Sequence, residues 1–373
     1  MNEKIERSFN VGILGENSDL NKWIGQAFGA PGTRSDIQFY NRLDDQLNYI
    51  FCAVSPVEYP EKIKPLLQTL TLTDIFLLIV DLNVGLNSVI GELLIAIDIF
   101  CQLYHKQTII IFANIKNNEW KLANEIKKLR QIIHTTTLKD AKIFELHEKK
   151  DFDKLKQEVI ELGLKFSDQT KKQNNNDNSN SNFNSYTKIL IDHVFPVKGI
   201  GTVALAVIKQ GVLKKGQMLE LIGFNGPSKK VVIKNIQKQD RDFTIAYQND
   251  RVGLVLKGIK PNQIDRNFFL ATPEIFKKES NITAEFHMNE FYKSKGGKIT
   301  PGDERQYYAL VNMRISPIKF TEGEDIYPGN STNVSIQFSK SVFHDGSGLK
   351  GIIVELIPFE KKNRIVGHFK QSS

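Results

Sequence analysis

Two hydrophobic rhythms divide this chain. Up to residue 168, short apolar runs alternate with longer amphipathic ones. FNVGILG, LNYIFCAV, IFLLIVDL, QTIIIFAN and AKIFEL read as strands. IFLLIVDL and QTIIIFAN are apolar almost without interruption, the pattern of parallel strands buried on both faces. Between the strands, LNKWIGQAFG, PEKIKPLLQTL, SVIGELLIAIDIFCQLYH, WKLANEIKKLRQII and FDKLKQEVIELGLKF carry apolar positions at helical spacing. Strands alternating with helices predict an α/β domain on a parallel sheet. Residues 169–185, QTKKQNNNDNSNSNFNS, are nearly devoid of apolar side chains. Such a stretch buries too little surface to offset its ordering entropy, so a flexible linker is expected there.

Beyond it the rhythm changes. KILIDHVF, GTVALAVI, KKVVIKNI, DRVGLVLKG, ITAEFHMN, QYYALVNMRIS, STNVSIQFS and GIIVELIPF are short, β-branched and separated by Gly, Pro and Asn turns. This is the signature of barrels or sandwiches. The length allows two barrels, 186–272 and 273–373, after an α/β domain of 1–168.

Composition narrows the classes. Of 373 residues, 40% are hydrophobic and 25% charged, the balance of a globular protein. A formal charge of +8 suits a polyanionic partner, and it equally suits ordinary lysine-rich solubility. Cys52 and Cys101, the only cysteines, stand in apolar runs and read as buried thiols. The seven histidines are scattered without metal-ligand spacing, so no metal site is expected. MNEKIERSFN lacks the apolar core of a signal peptide, and no apolar run is long enough to span a membrane, so a cytoplasmic protein with no membrane partner is expected.

The second half also carries specific motifs. HVFPVKGIGTVALAVIKQGVLKKGQMLEL holds Val194 and Phe195, then Gly199, Gly201, Thr202 and Val203, then Gly211 and Gly216. This order resembles the opening of domain two in the translational GTPases. NDRVGLVLKGI continues the likeness, and its Asp250-Arg251-Val252-Gly253 is closer to the selenocysteine-specific elongation factor than to elongation factor Tu. SKGGKITPGDERQYYALV, YPGNSTNVSIQF and ELIPFEKKNRIVGHF are similar to segments of elongation factor Tu domain three, with Asn330, Ile365 and Phe369 departing from its pattern. The resemblance implies a three-domain architecture, a G-domain-like parallel sheet followed by two all-β barrels, in a divergent archaeal paralogue.

The nucleotide motifs that this resemblance calls for are altered. Where the family has G-x-x-x-x-G-K-[ST], this chain reads GENSDLNK. Gly15 is retained, while Leu20, Asn21 and Lys22 replace the second Gly, the Lys and the Ser/Thr. Asn supplies no cation for the phosphates, and Lys cannot ligate Mg²⁺. SPVEY stands for D-x-P-G-H, without Asp, Gly or the catalytic His. NIKN stands for N-K-x-D, keeping Asn114 but placing Ile115 and Asn117 where the Lys and the guanine-reading carboxylate belong. The switch Thr has no clear counterpart, although Thr33 is near. The expectation is a GTPase layout with no catalytic residues, binding neither GTP nor Mg²⁺.

The resemblance further implies tRNA or ribosome binding by the barrels. Matching positions carry Arg251, Lys298, Lys350, Arg364 and Gly367; basic groups next to glycines suit phosphate contacts, though each charge also reads as a solvated surface residue. Two other functions stay open: an interaction scaffold with a protein partner on the altered domain, and a GTP-binding factor with an atypical site.

Overall fold

The computed structural model describes residues 6–44, 49–176, 186–294 and 296–371. By internal contacts the chain divides into two compact units, Met1–Asn180 with Ile357–Lys362, and Ser181–Leu356 with Asn363–Ser373.

The first unit is built on seven strands: β1 (Arg7–Gly15), β2 (Ala30–Arg34), β3 (Ile37–Asp44), β4 (Tyr49–Pro56), β5 (Ile75–Asp81), β6 (Gln107–Ala113) and β7 (Lys142–Glu145). Their order is β2-β3-β4-β1-β5-β6-β7. The five strands read from the sequence run parallel, and β2 and β3 add an antiparallel edge. Helices α1 (Ser18–Phe28), α2 (Ile63–Leu72), α3 (Ser88–Tyr104), α4 (Glu119–Ile133) and α5 (Asp151–Asn176) connect them. Strand β5 shows why its apolar run is continuous. Ile75, Leu77 and Ile79 join a core with Ile24 and Phe28 of α1 and Leu155 and Val159 of α5. Phe76, of the opposite parity, packs its ring at 6.4 Å against Phe100 of α3. Both faces are therefore covered, and hydrophobic burial holds the layers together.

Two expectations are corrected here. Helix α5 runs through Asn176, so the first eight residues of the expected linker are helical, while 177–185 lie outside the described residues. Strands β2 and β3 were not foreseen.

The second unit holds both barrels. The first ring is closed by six strands, β8 (Lys188–Val197), β9 (Gly201–Gln210), β11 (Met218–Ile222), β12 (Lys229–Lys238), β15 (Arg251–Lys257) and β16 (Phe269–Ala271), with the β11–β12 pairing completing the circuit. Short strands β10 (Val212–Lys214), β13 (Arg241–Phe243) and β14 (Ile245–Tyr247) extend it. The second barrel closes in the order β17-β20-β19-β18-β21-β22, formed by β17 (Lys277–Met288), β18 (Tyr307–Val311), β19 (Arg314–Gly323), β20 (Ser331–His344), β21 (Lys350–Val354) and β22 (Ile365–Gln371). The run read as one strand, QYYALVNMRIS, is a hairpin that turns at Asn312, whose φ is 54°. Asparagine tolerates that left-handed geometry without a glycine's help.

Within this unit the barrels are tied by polar contacts. The Tyr186 hydroxyl donates to Asp345, Arg314 donates to the Gly223 carbonyl, and Lys278 donates to the Asn225 carbonyl. In the first barrel, Gly199 and Gly201 take φ values of 79° and 112° in open space, so the turn's conformation, rather than crowding, requires glycine. No helix among the described residues is long and apolar enough to cross a membrane.

Candidate functional site

The carboxyl ends of β1, β5 and β6 meet at one edge of the first unit's sheet, the place where open α/β folds bind ligands. The residues there bond chiefly to one another. Asn17 caps α1, its Oδ1 accepting the N–H groups of Asp19 and Leu20 at 3.1 Å each. Those first-turn donors are the groups that a helix N-terminus offers to an anion. Here a neighbouring side chain takes two of them.

Asp81, at the end of β5, is the hub of the edge. Its carboxylate accepts Asn17 Nδ2 at 2.8 Å, Asn114 Nδ2 at 2.8 Å and the Asn83 N–H at 2.9 Å. Glu16 accepts Asn87 Nδ2 at 2.5 Å, and Asn87 in turn caps α3 through the N–H groups of Val89 and Ile90. Asn118 donates to Asn83 Oδ1 at 2.9 Å and to the Asn114 carbonyl at 3.0 Å. Glu125 of α4 accepts the Leu86 N–H at 3.0 Å and pairs with Lys128 at 2.8 Å. The Lys128 hydrogen bond holds the Glu125 carboxyl below its ordinary range.

The residues singled out in the altered motifs fall within this network or beside it. Asn21 is buried and donates Nδ2 to the Gly15 carbonyl at 2.9 Å; a Cβ on Gly15 would lie 2.6 Å from Asn21 Oδ1. The amide thus closes the loop onto itself. Lys22 is exposed on α1. Asn114 sits in a left-handed conformation with φ 59° and bonds Asp81. Ile115 is 1% exposed, a core residue where the family places a lysine. Tyr59, in the place of the catalytic histidine, is buried, with its hydroxyl on Glu92 at 3.2 Å and on the Val89 carbonyl at 3.3 Å.

The side chains at this edge are engaged with one another. Two first-turn donors of α1 are capped by Asn17, and Glu16 and Asp81 set negative charge near the loop, which opposes a polyanion. No group of three or more His, Cys, Asp or Glu placed to hold a metal occurs among the described residues. Asn17, Asp81, Glu16 and Asn87 went unnoticed in the sequence.

The basic candidates in the barrels are dispersed. Arg251 of β15 forms a two-pronged pair with Asp192, Nε to Oδ2 at 2.9 Å and Nη2 to Oδ1 at 3.0 Å. The Asp192 side chain is fully buried and also bonds His193 Nδ1 at 2.7 Å. Burial alone would raise the Asp192 carboxyl; Arg251 and the His193 hydrogen bond outweigh it and hold the carboxyl below the ordinary range. Arg251 is therefore committed to a buried charge.

Arg364 is 0% exposed, which removes it from any accessible basic face. Gly367 is a packing residue, because a Cβ there would stand 2.0 Å from the His287 carbonyl oxygen. Lys298 pairs with Asp325 at 2.5 Å. Lys350 is exposed and lies opposite Lys370 across β21–β22. Of the expected face, Lys350 and Lys298 stay at the surface, and the neighbour that the register adds is Lys370. The cysteines are buried as expected, and burial pushes the Cys101 thiol up to about 11.

The family model for elongation factor Tu domain 2 matches residues 201–267, the greater part of the first barrel. A selenocysteine-specific elongation factor of Methanocaldococcus jannaschii is 29% identical over 255 residues, covering 66% of this chain and 50% of its own length. These matches make the chain similar to translation elongation factors of the GTPase type. An uncharacterized Methanocaldococcus jannaschii protein matches more of the chain, 29% identical over 346 residues, 92% of this chain and 94% of the relative. Among solved structures, the translation elongation factor SelB of Methanococcus maripaludis, in complex with the GTP analogue GppNHp, shares the fold. Its TM-score is 0.79 at 22% identity, covering all of this chain and 80% of that one. A bacterial selenocysteine-specific elongation factor gives a TM-score of 0.74 at 17% identity, covering 96% of this chain and 57% of that one.

Proposed function

We propose that the chain is an elongation-factor-like binding protein that engages tRNA or a ribosomal RNA surface through its barrels, without binding or hydrolysing GTP. The observation that carries this reading is the closed network at the sheet edge. Asn17 caps the helix that would cradle phosphate, Asn21 folds onto Gly15, and Asn114 serves Asp81 in place of a guanine base. A ligand entering there would have to break several side-chain hydrogen bonds before forming its own. The match of the first barrel to elongation factor Tu domain 2, and the likeness of the whole chain to elongation factors, support RNA as the partner class. Lys350 beside Lys370 on the second barrel supplies adjacent cations on one face, suited to phosphates.

Binding of labelled tRNA and of ribosomes across a salt series tests the reading. The expected result is an affinity that falls steeply with salt, and a Lys350→Ala variant whose log–log slope is lower by about one. Absence of salt-sensitive affinity for both probes would remove the RNA reading and leave the interaction-scaffold alternative.

A further inference from the structure

The first barrel carries an open recess of about 570 Å³ whose lining includes none of the sheet-edge residues and none of Lys298, Lys350 and Lys370. It lies where β8 turns into β9, against the segment after β15. Val197, Leu256 and Ile259 form its wall, between Pro196 and Pro261. Leu256 faces Thr202 in the β9–β15 register, and the Thr202 hydroxyl donates to the Ile259 carbonyl at 2.7 Å. The polar group of the floor is thereby satisfied, and the recess is shaped by rigid elements. Lys198 and Lys260 complete the lining, and both are exposed. No Asp or Glu and no aromatic ring belongs to the lining. Phe195 and Ile200, flanking it in the chain, are 37% and 50% exposed.

We infer that this recess docks a protein segment carrying an apolar anchor between acidic residues. A volume of this order takes a group the size of a drug molecule, which a short peptide supplies with a few neighbouring side chains. Aliphatic and proline walls offer contact area, but they offer neither a stacking face nor polar partners for a nucleobase, and this favours a side-chain anchor over RNA. Two exposed lysines with no counter-charge in the lining favour anionic flanks on the occupant through electrostatic complementarity. The site stands apart from Lys298, Lys350 and Lys370, so it goes beyond the RNA-binding reading.

Selection of random twelve-residue peptides displayed on phage, against the full chain, tests the inference. Enriched peptides should carry at least two acids around an apolar residue. Synthetic copies, read by fluorescence anisotropy, should lose at least tenfold in affinity on a Lys198→Glu/Lys260→Glu variant and on Val197→Asp. Replacing the peptide's acids with Ser should weaken binding by a similar factor. Val197→Asp risks disturbing the barrel, so the charge-reversal variant, altered only at exposed positions, decides the matter if Val197→Asp melts early. Enrichment of basic or uncharged peptides, no enrichment, or affinity unmoved by the charge reversal would overturn the inference. So would a twelve-nucleotide single-stranded RNA that loses binding on the charge-reversal variant while the peptides fail to compete with it, since that assigns the recess to nucleic acid.

Discussion

The sheet edge of the first unit and the β8–β9 corner of the first barrel are both places where loops meet the ends of strands, and the two are built differently. At the sheet edge, Asp81 gathers Asn17, Asn114 and the Asn83 N–H, so the loops are bound by their own side chains. At the barrel corner, Gly199 and Gly201 turn the chain by backbone conformation alone and leave Lys198 and Ile200 exposed. The first arrangement uses polar groups internally; the second presents them outward. The difference teaches that a fold fixed by its apolar core leaves its loop chemistry free to face inward or outward. In this chain it faces inward at the sheet edge and outward at the β8–β9 corner.

The largest expected effect sharpens that comparison at a barrel position that faces inward. Arg251→Ala leaves Asp192 fully buried without its cation, and should cost the second unit about 3–5 kcal/mol in chemical denaturation. The pH dependence has a definite sign. The folded-state carboxyl of Asp192 lies below its unfolded value, so its contribution is present above about pH 4 and is lost as pH falls through the folded value. Arg251→Ala should flatten that acid limb. Equal acid sensitivity in the variant and the parent would show that the pair carries no such linkage.

Next in size is Gly367→Ala. A methyl group 2.0 Å from the His287 carbonyl oxygen must push β22 away from β17, at a cost of about 3 kcal/mol. A normal melting curve together with weakened RNA binding would instead make Gly367 a contact residue. Smaller still, Asp81→Ala strips the sheet edge of its hub and should destabilise the first unit by about 2 kcal/mol, read by urea unfolding. A neutral result would mean that the edge is held by something other than this network.

What could be read from the sequence follows the range of the forces involved. Strands β5 and β6 were legible because burial on both faces leaves an unbroken apolar run. Strands β2 and β3 were not: APGTR reads as a turn, and IQFYNRLD, between β2 and β4, mixes buried apolar positions with partly covered polar ones. The β18–β19 hairpin was hidden because Asn312 and Met313 carry no glycine or proline signal. Helix α5 continues into an Asn-rich stretch whose composition predicted none.

At the sheet edge the absent motif residues were legible one by one, but their replacement by a network was not. Asn17 and Asp81 are 64 residues apart, and neither has a local pattern that announces the other. Arg364 was misplaced for a related reason, since a charged residue ordinarily reads as surface, and only the tertiary structure shows it at 0% exposure.

Isothermal titration of the full chain with GTP and Mg²⁺, followed by GDP competition, tests the inward-facing edge most directly. The network of Asn17, Asn21, Asn114 and Asp81 leads us to expect no saturable heat up to millimolar nucleotide, with tRNA binding unchanged by GTP. Micromolar, Mg²⁺-dependent binding displaced by GDP would contradict the account, because the hydrogen-bonded side chains at the sheet edge would then have to open for the ligand.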